Sequence, residues 1–151
     1  VSEVLSPATA GDAGAIRSLV REAYAKWVPI IGREPKPMTA DYDAALRNHR
    51  IDLLHLDSKL AAMIEMIPRT DHILIENIAV SPSFQGRGLG RRLMAHAEQV
   101  AMSLGHGLVK LYTNKMFAEN VLLYRRLGYA VDREEVGPYG ITVYMSKTLP
   151  A

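Results

Sequence analysis

From Ile16 onward, Ile16, Leu19, Val20, Ala23, Tyr24 and Trp27 recur at the three-and-four spacing of one helical face. Thr9, with Asp12 three residues later, has the pattern of a capping box and predicts the start of this helix. Three prolines and Gly32 between positions 29 and 37 break the periodicity. A second short helix is predicted over residues 39–48. Three apolar runs of strand length follow, at 51–56, 59–67 and 72–80, with a tight turn at Asp57-Ser58 and another turn at 68–71. Leu89, Leu93, Met94, Ala97, Val100, Ala101 and Leu104 then mark one face of a long amphipathic helix. Its other face carries Arg87, Arg91, Arg92, His96, Glu98 and Gln99, and Gly105 and Gly107 end it. Residues 108–113 read as a strand, 118–127 as a helix, and 129–136 and 141–147 as a closing pair of strands. The order β-α-α-β-β-β-α-β-α-β-β predicts an α/β fold, with a mixed central sheet, helices on its faces and a strand–helix–strand unit in the middle.

The 151 residues fit one domain, expected to span 1–151. A net charge of +2 argues against nucleic acid as a partner. The chain has no cysteine, hence no thiolate nucleophile, disulfide or Cys-ligated metal. The histidines at 49, 55, 72, 96 and 106 make no His-x-x-x-His pair, so no metal is expected. No apolar stretch reaches the ~18 residues of a membrane helix. The N-terminus lacks the basic and apolar segments of a signal peptide. The expected setting is the cytoplasm, with no membrane partner.

The strongest local signal is Gln85-Gly86-Arg87-Gly88-Leu89-Gly90, which lies between a strand and a helix. Glycines there let the backbone take positive φ and approach a ligand, and the unpaired N–H groups of a helix start attract anions. Arg87, Arg91 and Arg92 crowd the same end, where cations are unfavourable by ~0.3–1 kcal/mol each without an anion to bind. The competing reading is a solvated turn. A Walker loop is absent, and the spacing differs from the Gly-x-Gly-x-x-Gly of dinucleotide folds.

The run Ile75-Glu76-Asn77-Ile78-Ala79-Val80 followed by this loop resembles the acetyl-CoA-binding motif Gln/Arg-x-x-Gly-x-Gly/Ala of the GCN5-related N-acetyltransferase (GNAT) family. Leu111-Tyr112-Thr113-Asn114, Asn120-Val121-Leu122-Leu123-Tyr124 and Leu127-Gly128-Tyr129 resemble its later segment, in which Asn-x-x-x-Tyr precedes a Gly-Tyr or Gly-Phe pair. The resemblance covers nearly the whole chain. It implies a GNAT-type, mostly antiparallel sheet with helices on both faces, and acetyl-CoA as co-substrate. It further implies that the backbone of Gln85, Gly86, Arg87, Gly88, Leu89, Gly90 and Arg91 cradles the pyrophosphate. Ile78, Ala79 and Val80 would line the cofactor arm, with the Val80 N–H polarising the thioester carbonyl. Asn114 and Asn120 would also touch the cofactor, and Tyr124 would stand beside the sulfur.

Acyl transfer to an amine needs a proton acceptor. Strict alternation along 72–80 would place His72, Leu74, Glu76 and Ile78 on one face. Glu76 is the expected base, against the plainer reading of a carboxylate paired with an arginine. Tyr124 is the expected acid, against the plainer reading of a core aromatic. In GNAT proteins the segment between the first two helices covers the acceptor. Here it runs over 27–38, and Tyr24, Trp27, Arg33, Tyr42, Glu76 and Tyr139 are candidate acceptor contacts. Trp27 reads equally well as a core plug. The expected activity is acetyl transfer onto an amine of a small molecule or peptide by direct attack in a ternary complex. The alternative is a non-catalytic acyl-CoA-binding module, and a homodimer is left open.

Overall fold

The computed structural model describes residues 2–138 and 140–150. Seven strands form one sheet: β1 (Glu3–Pro7), β2 (Arg50–Leu56), β3 (Lys59–Pro68), β4 (Ile73–Val80), β5 (Leu108–Asn114), β6 (Ala130–Gly137) and β7 (Gly140–Thr148). Their spatial order is β1-β2-β3-β4-β5-β7-β6. β4 and β5 are parallel, joined by a crossover through α5 (Leu89–Ser103), and every other neighbouring pair is antiparallel. This is the mixed, mostly antiparallel α/β sheet expected of the family, with helices on both faces.

One face packs against α5, whose Leu93, Met94, Ala97 and Ala101 are buried against Ile64, Met66, Ile73 and Ile75. Replacing Leu93, which is 0% exposed, by alanine should lower unfolding free energy by about 2–5 kcal/mol in denaturant titration. The opposite face packs α1 (Ala13–Tyr24) and α4 (Tyr42–Asn48) onto Ile51, Leu53, Met63 and Ala79. The capping box forms as expected, with the Thr9 N–H donating to Asp12 Oδ2 at 2.7 Å ahead of α1.

The proline-rich segment is more structured than its sequence predicts. It holds two one-turn helices, α2 (Val28–Ile31) and α3 (Lys36–Thr39). Gly32 ends α2 at φ +77°. The helix predicted over 39–48 begins later, because Asp41 caps it by accepting from the Ala44 N–H at 3.1 Å. The last helix, α6, spans Ala118–Arg126.

Strict alternation fails in β4. Met66 of β3 is opposite Ile75 and Glu65 is opposite Asn77, so Glu76 is an extra residue in the ladder. Ile73 and Ile75 face α5, and beyond the irregularity so do Ile78 and Val80. Glu76 and Asn77 both turn to the other side of the sheet. The expectation that Glu76 and Ile78 share a face is therefore corrected: the bulge separates them and sets Asn77 beside Glu76 instead.

Candidate active site

The parallel pair β4–β5 is short. Ile73, Leu74 and Ile75 pair with Val109, Lys110 and Leu111, and past that point the strands part. The Ser81 N–H donates to Ala61 O on β3 at 2.8 Å, so backbone alternation turns the N–H and C=O groups of Val80 and Ile78 to the opposite edge, into the gap. The carbonyls there are met from outside the sheet: Ile78 O accepts from the Tyr24 hydroxyl at 3.3 Å and Val80 O from Gln85 Nε2 at 3.2 Å.

A groove of about 370 Å³ opens from this gap along the glycine-rich loop. Ile78, Ala79, Val80, Gln85, Gly86, Gly88, Leu89, Gly90, Arg91, Asn120 and Tyr124 line it. Gly88 precedes the first turn of α5 at φ +77° and Gly86 lies at φ +79°, both in the left-handed region that suits glycine. The loop therefore ends on the N–H groups of a 15-residue helix. The three arginines part company. Arg91 lines the groove, Arg87 lies 5.2 Å over the Phe84 ring, and Arg92 pairs with Glu3 at 2.8 Å. Tyr124 is buried, edge-on to Tyr129 at 6.4 Å between ring centres. Burial pushes its phenol up to about 12, so the hydroxyl keeps its proton at neutral pH. Among the described residues it has no hydrogen-bond partner.

A second cavity, of about 530 Å³, lies on the α1–α4 side of the same gap. Its floor is the sheet: Glu65, Glu76, Asn77, Tyr112, Asn114 and Thr142. Its walls include Tyr24, Tyr42, His49, Phe117 and the segment from Ile31 to Pro37. The Tyr112 hydroxyl donates to Glu76 Oε1 at 2.5 Å, and burial, then Glu76, raises the Tyr112 phenol. Asn77 ties the two tyrosines of the wall together: its Oδ1 accepts from Tyr24 at 2.7 Å and its Nδ2 donates to Tyr42 Oη at 3.1 Å. Tyr42 in turn donates to Pro37 O at 2.6 Å and so anchors the overhanging segment.

Of the residues expected to bind an acceptor, Tyr24, Arg33, Tyr42 and Glu76 line this cavity. Trp27 does not. It stacks on Phe117 at 4.6 Å and borders the groove. Tyr139 lies outside the described residues. Asn114, expected along the cofactor, lines the second cavity, with its Oδ1 accepting from the Met116 N–H at 2.9 Å. Arg87 is not among the residues lining the groove. Sequence reasoning missed His49, Glu65, Asn77, Tyr112 and Phe117 as residues of this site. Glu65 did leave a signal, as the lone charged side chain inside the apolar run from Leu60 to Ile67. Among the described residues no group of histidine, aspartate and glutamate side chains could hold a metal ion. Among them, too, no helix is long and apolar enough to cross a membrane.

Comparison with known proteins agrees with this architecture. The "IAA acetyltransferase" of Azospirillum brasilense is 35% identical over 78 residues, 50% of this chain and 50% of that protein. The chain thus spans about half the length of the curated relative it matches. Among solved structures, the ribosomal-protein-S18-alanine N-acetyltransferase of Escherichia coli superposes with a TM-score of 0.81 at 20% identity, covering 99% of this chain and 96% of that one. The PaiA N-acetyltransferase of Thermoplasma acidophilum, solved in complex with coenzyme A, superposes with a TM-score of 0.81 at 15% identity, covering 98% and 99%. Residues 15–129 match the model of the acetyltransferase (GNAT) family, and the chain belongs to that family.

Proposed function

We propose that this chain transfers the acetyl group of acetyl-CoA to the nitrogen of a small-molecule or peptide amine, with both substrates bound together. The observation that carries this reading is Tyr24, which lines both the groove at the glycine-rich loop and the cavity holding Glu76. A donor in one and an acceptor in the other meet at the β4–β5 gap.

The groove fits coenzyme A in its chemistry. Loop N–H groups at the start of α5 suit a pyrophosphate, and the backbone edge of Ile78 and Val80 suits an extended amide-bearing arm. When bound, acetyl-CoA supplies an electrophilic acetyl carbon and a thiolate leaving group, so a C–N bond replaces the C–S bond. Glu76 takes the proton that the amine nitrogen loses, and Tyr112 holds the Glu76 carboxylate in place. The Val80 N–H is an oxyanion donor. Tyr124 keeps its hydroxyl proton available for the departing sulfur.

The test is thiol release from acetyl-CoA across a panel of amines. Amine-dependent release supports the reading. Tight coenzyme A binding without release onto any amine would leave the chain a binding module. The groove assignment has its own check in Gly88→Val. A Cβ at Gly88 would meet nothing within 4 Å, so the cost is the left-handed backbone itself, about 1–2 kcal/mol. Coenzyme A affinity should fall about tenfold by calorimetry while the circular dichroism spectrum is retained. Unchanged affinity would place the site elsewhere.

A further inference from the structure

The floor of the second cavity carries a carboxylate that the proton transfers above do not use. Glu65 lies on β3 opposite Asn77 and is 5% exposed. His49, just past α4, meets its Oε2 through Nδ1 at 2.6 Å. Its other oxygen, Oε1, has no hydrogen bond among the described residues and opens to the cavity that Glu65 lines. A buried carboxylate is unfavourable unless its oxygens are satisfied. Burial raises the Glu65 carboxyl, the His49 hydrogen bond opposes that rise, and the Glu76 charge adds to it. A cation arriving from the cavity would relieve both effects at once. The ring walls of Tyr24, Tyr42 and Phe117 suit such a cation as well.

We propose that the acceptor carries two cationic nitrogens: one at Glu76 beside the gap, where it gives up its proton and reacts, and a second that stays charged on Glu65. This rests on the acetyl-transfer reading of the same site. Glu65 faces Asn77 across the ladder and Glu76 is the next residue, so the two carboxylates stand on backbones roughly 4.5–8 Å apart. A short α,ω-diamine spans that distance. Arg33 and Lys36 also line the cavity, from the overhanging segment, which makes an ω-amino acid the rival ligand. Lys36 is exposed, whereas Glu65 is 5% exposed and faces the cavity, and this favours the diamine.

The experiment titrates diaminobutane, butylamine and γ-aminobutyrate into the coenzyme A-loaded protein by calorimetry, for the wild type and for Glu65→Gln. Thiol release from acetyl-CoA is measured in parallel with the same amines. Diaminobutane should bind about tenfold or more tighter than butylamine, and Glu65→Gln should erase that preference. Equal binding of diamine and monoamine, or tighter binding of γ-aminobutyrate, overturns the proposal. If the variant does not fold, the wild-type comparison of diamine with monoamine still decides. Selective diamine binding without thiol release would keep the two-cation site and refute acetyl transfer, so the two readings fail separately.

Discussion

Glu76→Gln should slow turnover about 10²–10⁴-fold at neutral pH. The amide matches the carboxylate in size and its oxygen can still accept from the Tyr112 hydroxyl, so the floor of the cavity keeps its shape. What disappears is an oxygen able to take a proton. An alkyl amine near pKa ~10.4 is almost wholly protonated at pH 7, so the variant must wait for the rare neutral amine. Its rate should therefore climb with pH toward the amine's own pKa and approach the wild-type rate there, while coenzyme A affinity stays put. The measurement is a pH–rate profile with a confirmed acceptor. A wild-type profile in the variant would pass the role of base to another group, and the cavity also holds the ionisable pair Glu65 and His49.

Tyr124→Phe should reduce turnover by about 10²-fold, the low end for a lost proton donor, because a thiolate leaves tolerably well without full protonation. The ring keeps its edge-on contact with Tyr129. The hydroxyl has no partner among the described residues, so its removal breaks no hydrogen bond among them. Coenzyme A affinity and melting temperature should both hold. The rate alone then separates a proton donor from a packing residue: a core tyrosine whose hydroxyl has no partner would leave both stability and turnover unchanged. Full speed in the variant, measured under acceptor saturation, would make Tyr124 part of the core.

The features legible in the sequence were the ones encoded locally. Helical spacing from Leu89 to Leu104 found α5, and the cluster Gly86, Gly88, Gly90 found the loop before it. Asn120 and Tyr124 are one helical turn apart and do line the same groove. The acceptor side was harder to read because its contacts are made across strands. Tyr112 and Glu76 are 36 residues apart, and His49 and Glu65 are 16 apart. Period-two reasoning also assumes an uninterrupted ladder. The extra residue at Glu76 breaks that assumption at the point where the site is built.

The short β4–β5 pairing has a mechanical meaning as well. The four strands β1 to β4 on one side and the three strands β5, β7 and β6 on the other are stitched through three paired positions. Beyond them the sheet has an inner seam left open. An extended ligand hydrogen-bonded to Ile78 and Val80 would close part of that seam, and a ligand that binds the folded state alone stabilises it by mass action. The cleft proposed for the substrate is then also where the two halves of the sheet share the fewest paired positions, and occupancy there would tighten the fold as it loads the site.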